Sequence, residues 1–207
     1  PWGAETTLTW HPSHLVPASV EDNLGNTVAA TYDTRSMQPV SVTDPNGNVT
    51  LAVYDALGRL LRIARTGTGG EGDTLEDPTE ELSYDLSTLP VSILHRKRET
   101  HADPDSRWIE ARAYSDGAGN VVMQKVTAAK VEGVAQWIGS GRVVLNNKGL
   151  PVKQYEPFFA EDDSFEAEEG FGGVTPVLTY DPLGRASRVD LPNGTLRRVS
   201  FGPWNQV

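Results

Sequence analysis

No cysteine occurs in the 207 residues, which excludes a disulfide framework, a thiolate metal site and a cysteine nucleophile. Long apolar runs are also missing: nothing approaches the roughly 20 residues that a membrane-spanning helix needs. The opening Pro1-Trp2-Gly3-Ala4-Glu5 has neither the basic start nor the apolar centre of a secretion signal. The end at Phe201-Gly202-Pro203-Trp204-Asn205-Gln206-Val207 falls inside what reads as another repeat. The expectation is a piece of a larger protein, so missing signals say little about the parent. Helical patterning is scarce, and no dozen-residue window has a strong 3.6 period with caps. The best candidate, Val126 to Gln136, is short and broken by Gly133, and reads as loop or frayed strand. Positive charge is in the minority: 18 Lys and Arg face 28 Asp and Glu, for a net −10. A surface of that sign repels phosphate backbones and anionic lipid, so no nucleic-acid partner and no membrane insertion are expected.

What is present is turn chemistry. Glycine (20) and proline (14) are spread along the chain, marking many turns between short elements. Hydrophobic residues make up 38 %, enough for a core but not a thick one. One unit keeps returning: an aromatic, an acid, two spacers, Gly, then a basic or polar residue leading into an alternating run. It is clearest in Tyr54-Asp55-Ala56-Leu57-Gly58-Arg59 and Tyr180-Asp181-Pro182-Leu183-Gly184-Arg185. Weaker copies are Tyr32-Asp33, Tyr84-Asp85 and Tyr114-Ser115-Asp116-Gly117-Ala118-Gly119-Asn120. A companion turn, Asp44-Pro45-Asn46-Gly47-Asn48, recurs as Leu191-Pro192-Asn193-Gly194-Thr195, and 22–26 and 147–149 look like further degenerate turns.

The unit has a mechanical reading. Asp bonds backbone amides two residues on, and Gly supplies the positive φ of a tight turn. Pro-Asn-Gly is expected to make the opposite turn, with Pro presetting φ and Asn and Gly tolerating the left-handed region. Between turns the residues alternate: Arg197, Val199 and Phe201 on one face, Leu196, Arg198 and Ser200 on the other. That period predicts half-buried antiparallel strands, an all-β fold with little or no helix. The expected organisation is one continuous segment over 1–207. Two glycine- and acid-rich insertions, 66–81 and 160–173, read as solvent loops.

These residues resemble the RHS/YD-repeat family, and within it the chain is most similar to the B component of bacterial insecticidal toxin complexes (Tc toxins). Three stretches carry the narrower resemblance. They are Leu8-Thr9-Trp10-His11-Pro12 with Leu15 to Val20, Trp137 to Gly149 continuing as Pro151 to Phe159, and Gly173 to Arg185. The resemblance implies an antiparallel β-strip that spirals as part of a hollow shell in a secreted bacterial protein. In that family the B and C components form the shell. It encloses the cytotoxic part of the C component until a channel-forming A component delivers it. The implied partners are the parent's remaining repeats, the C component and its cargo, with the A component contacted by other parts of the parent. Toxin-carrying RHS proteins also have an aspartyl self-cleavage site. Asp181-Pro182-Leu183-Gly184 is an ordinary repeat followed by Arg185 and more strand, so that activity is not carried over.

No catalytic, cofactor or metal residues are expected. His11 and His14 flank Pro12 without a third ligand and suit turn and packing roles better than zinc. His95 and His101 flank Arg96-Lys97-Arg98, which reads as a solvated or cavity-lining strand face. Asp44 to Asn48 lacks the glycine and distant glutamate of a calcium loop. Glu161-Asp162-Asp163 and Glu166, Glu168 and Glu169 read as solvent-facing charge. No elbow, phosphate loop or Cys-His couple is present. Two rival functions remain at this level: an extracellular YD module binding carbohydrate or protein, and a hydrolase with scattered acids. An isolated piece of spiral strip is expected to be only marginally stable, since it relies on neighbouring turns for burial.

Overall fold

The computed structural model describes residues 5–129, 136–167 and 175–204. The alternating runs become antiparallel strands, and no helix occurs among the described residues. The chain divides into two compact units, 1–83 with 95–109 and 84–94 with 110–207.

The first unit starts with six strands: β1 (Thr6–Trp10), β2 (Pro17–Asp22), β3 (Thr27–Tyr32), β4 (Pro39–Thr43), β5 (Val49–Tyr54) and β6 (Leu60–Thr66). Each pairs antiparallel with the next, so chain order is sheet order. This is what short loops between two-faced strands produce. Arg62 and Ile63 of β6 then pair with Glu81 and Glu80 of β7 (Glu80–Asp85). By residue range, β7, β8 (Val91–Arg98) and β9 (Trp108–Ser115) are divided between the units.

Cross-strand partners share a face of a sheet, so the register sorts the side chains. One face of β1–β6 carries the rows Leu8–Val20–Val28, Ala30–Val42–Thr50 and Ala52–Ile63. The other carries Thr9–Ser19–Ala29–Thr43–Val49 and Thr31–Ser41–Leu51–Ala64. Hydroxyls predominate on the second face over β1–β4, and aliphatics on the first. Neither face is deeply covered: Ala64 is this unit's one buried hydrophobic residue among those described, while Leu8 stays 46 % and Val28 40 % exposed.

The second unit holds β10 (Val121–Thr127), β11 (Trp137–Ser140) and β14 (Phe158–Ala160), paired in that order after β9. Gly139 faces Phe158 across β11 and β14, and the ring occupies the space where a Cβ would stand. A second sheet runs β12 (Val143–Leu145), β13 (Pro151–Gln154), β15 (Val177–Tyr180), β16 (Ala186–Asp190) and β17 (Leu196–Arg198). Here a core exists: Tyr114, Val122 and Met123 are buried, with Val143, Phe158 and Phe165 packed against them. Of the segment Val126 to Gln136, Val126 and Thr127 end β10, and 130–135 lie outside the described residues.

Candidate functional site

The repeated turn is the feature the chain invests in most, and it has one geometry throughout. In 22–26, 44–48, 55–59, 116–120, 146–150, 181–185 and 191–195, the first residue's N–H donates to the fifth residue's carbonyl. The fourth residue's N–H donates back to the first, all at 2.8–3.1 Å. The fourth residue is glycine every time, with φ from +74° to +86°, a region costly for any side chain with a Cβ. In six of the seven the first residue is Asp or Asn, and its Oδ1 accepts the amides of residues three and five. For Asp55 these are Leu57 at 2.8 Å and Arg59 at 2.9 Å. For Asp181 they are Leu183 and Arg185, both at 2.9 Å. Oδ2 is then taken by the fifth side chain, Arg59 Nε at 2.6 Å or Arg185 Nε at 2.7 Å. The companion turn 44–48 obeys the same scheme, with Asn48 in place of the arginine. It is therefore the same turn as the Tyr-Asp copy, not its opposite: only Gly47 of Pro45-Asn46-Gly47 takes a positive φ.

These hydrogen bonds act on the carboxyls. The amide and guanidinium of Arg59 hold Asp55 below its ordinary value of 3.8, as those of Arg185 hold Asp181. Asn26, Asn48 and Asn120 do the same to Asp22, Asp44 and Asp116. Asp33 is lowered chiefly by the amide of Arg35, and Asp85 by the hydroxyl of Ser87. The turn at 33–38 is a longer variant without the glycine: Asp33 N–H donates to Gln38 O, and Met37 takes the positive φ, at 54°.

The tyrosines have a partner that the sequence reading missed. Tyr32 OH donates to Pro17 O (2.8 Å), Tyr54 OH to Pro39 O (3.0 Å) and Tyr180 OH to Pro151 O (2.6 Å). Each proline opens the strand beside the tyrosine's own, where its missing N–H costs no ladder bond. A register shift accompanies Tyr32, Tyr54 and Tyr180. Trp10 pairs with Pro17 across the same kind of shift, as Tyr32 pairs with Pro39, so Trp10 stands where a repeat tyrosine would. Part of the signal was available, since Pro17 and Pro39 each open a strand shortly after an aromatic, Trp10 and Tyr32. Neighbouring turns are also braced: Arg35 bonds the carbonyls of Asp55 and Ala56, Gln38 that of Gly58, and Lys148 that of Pro182. Tyr114 departs from the pattern. Its hydroxyl donates to Asp163 O, and burial pushes it up to about 12.

Both acidic insertions differ from the expected solvent loops. In the first, Asp73 and Thr79 are buried. Asp73 Oδ2 accepts Thr79 Oγ1 (2.7 Å) and His101 Nδ1 (2.8 Å), and Oδ1 accepts the amide of Ala102 (2.9 Å). Burial pushes the Asp73 carboxyl up, but these three donors outweigh it and hold it low. Arg98, expected on a solvated or cavity-lining face, is 5 % exposed. It bonds Asp77, Pro78 O and Asp103 O, and lies over Trp108 at 5.3 Å. The Asp73–His101 pair is the carboxylate–imidazole half of a relay, but no hydroxyl bonds His101 among the described residues, so it lacks a nucleophile.

In the second insertion, 161–167 returns over the sheet, and 168–173 lie outside the described residues. Lys125, fully buried, reaches Glu166 at 2.9 Å and the carbonyl of Asp162 at 3.0 Å. Arg112 reaches Asp163 at 2.7 Å, and Arg142 lies over Phe165 at 4.9 Å. The sequence reading missed these partners because each cation lies dozens of residues from its acid. His11 bonds Ser13 and stacks edge-on to Tyr32 at 6.1 Å.

Residues 32–71 match a family model described as RHS Repeat. No curated protein sequence matches the chain. Solved structures do: TcdB2-TccC3 at 24 % identity and TM-score 0.80, over 97 % of this chain and 12 % of that one. The Photorhabdus luminescens Tc holotoxin pore matches at 20 % identity and TM-score 0.81, over 97 % and 14 %. A TcdB2-TccC3-Cdc42 structure matches at 20 % and 0.77. The chain therefore spans about an eighth of the length of the structures it resembles. Residues 32–71 are thus an RHS repeat, and the chain as a whole has the fold of these toxin-complex structures.

Proposed function

We propose that this chain is a wall segment of an RHS shell, built into a secreted toxin-complex component that encloses a cytotoxic cargo. The observation that carries the reading is the run β1–β6. Its strands stand in unbroken chain order, three of their five turns are the repeated Asp-x-x-Gly device, and both faces are only half-covered. A wall needs continuity and closure at its turns, and it needs no catalytic residue. Its partners are then the parent's remaining repeats and the C component with its cargo, while the channel-forming component meets other parts of the parent.

Protease protection of the cargo tests this. The parent is assembled with its C component, and cleavage of the cargo is followed by immunoblot. The cargo resists protease in the wild-type assembly and becomes cleavable when the turns are broken by Asp55→Ala with Asp181→Ala. Cargo that is cleaved equally in both, or already cleaved in the wild type, contradicts enclosure.

A further inference from the structure

Six of the seven repeated turns place Asp or Asn at the first position. The exception, 191–195, has Leu191 there, and Asn193 supplies the acceptor instead: its Oδ1 takes the amide of Thr195 at 3.0 Å and its hydroxyl at 2.7 Å. Asn193 precedes Gly194, the least hindered neighbour an asparagine can have. We propose that Asn193 is a site of spontaneous modification, the turn that holds it being arranged to convert it to aspartate and isoaspartate.

The step needs only water. The Gly194 amide nitrogen loses its proton and attacks Cγ of Asn193, placing negative charge on Oδ1. The Cγ–Nδ2 bond then breaks, and ammonia leaves carrying that proton. The resulting succinimide is opened by water at either carbonyl, giving Asp or isoAsp. Two donors already aimed at Oδ1 stabilise the charge that develops there, the principle of an oxyanion hole. The other Asn-Gly pair, Asn46-Gly47, is the internal control. Its turn uses Asp44 as acceptor, and no hydrogen bond to Asn46 Oδ1 is present among the described residues. Space differs as well. A Cβ at Gly47 would strike the Thr68 side chain, whereas nothing lies within 4 Å of one at Gly194.

The product matters to the fold. IsoAsp inserts a methylene into the main chain just before β17, whose register (Asp190 with Leu196, Val189 with Arg197, Arg188 with Arg198) depends on the length of this turn.

Ageing the intact protein at mildly alkaline pH, followed by peptide mapping with isoaspartate detection, tests the proposal. Asn193 is expected to convert severalfold faster than Asn46. Thr195→Val, which removes one donor at nearly constant shape, slows it about two- to tenfold. Thr195→Ser keeps the wild-type rate, and Asn46 in the same samples reports whether the rest of the chain is undisturbed. Equal rates at Asn46 and Asn193, or a Thr195→Val rate at or above the wild type, overturn it.

Discussion

The two units share a turn and differ in what lies behind it. The first has a single buried hydrophobic residue among those described, Ala64, and its best-covered side chains are polar: Asp73, Thr79 and Arg98. The second buries Tyr114, Val122, Met123, Trp137 and Ala160, alongside Lys125 and Arg142. In both, an acidic insertion closes over cations that the strands provide. Asp73 and Asp77 meet Arg98 in one, and Glu166 and Asp163 meet Lys125 and Arg112 in the other. The difference teaches that the repeat builds strands and turns, while the insertions decide whether burial is polar or apolar.

The largest expected effect separates a buried charge cluster from a surface one. Asp73→Ala takes a carboxylate from beside buried Arg98 and strands the buried Thr79 hydroxyl, costing about 3–5 kcal/mol in urea unfolding. Glu166→Gln leaves fully buried Lys125 without its main counter-charge and acts in the same direction. Lys125→Met is expected to be close to neutral, because its acids retain access to water. A large loss for Lys125→Met alongside none for Glu166→Gln would reverse this account of the second unit.

Next comes the apolar contrast. Met123→Ala costs about 2–5 kcal/mol, since it empties the centre of the second unit's core. Val42→Ala, on a half-covered face, costs under about 1.5 kcal/mol. Equal costs would mean that the first unit has cover on its aliphatic face.

The smallest effect is common to both units and appears in acid. The turn aspartates, Asp22, Asp44 and Asp55 in the first unit and Asp116 and Asp181 in the second, are held below 3.8 in the folded chain. A carboxyl lowered by folding contributes stability that is present above its unfolded value and lost as pH falls through its folded one. The melting temperature is therefore expected to decline as pH drops below 3.8, and less steeply in Asp55→Asn, which no longer titrates there. An unchanged acid slope in that variant would show that the turn bonds contribute nothing.

Much of this was legible in the residues. Period-two runs and Asp-x-x-Gly turns gave the all-β fold, because both are local: the Asp55 carboxylate reaches amides two and four residues away. The long-range features were not. Arg96-Lys97-Arg98 alternates on a strand and reads as a solvated or cavity-lining face, yet Arg98 is drawn into a buried cluster by acids 21 and 25 residues earlier in the chain. Glycine and acid in 66–81 and 160–173 have the composition of loop, and composition is silent on a buried lysine waiting beneath. The tyrosine–proline pairs lay between these cases, visible as a spacing but not as a bond.

Backbone amide exchange in the intact protein tests most directly whether the acidic insertions are part of the packed structure. The Asp73 amide donates to Arg65 O at 3.0 Å and the Ala102 amide to the Asp73 carboxylate, while Gly70 only closes a tip turn with Gly67. Asp73 and Ala102 are predicted to exchange as slowly as the amides of β6, with Gly70 far faster. If all three exchange together at the rate of an open chain, the insertion is a solvent loop after all, and the comparison between the two units falls.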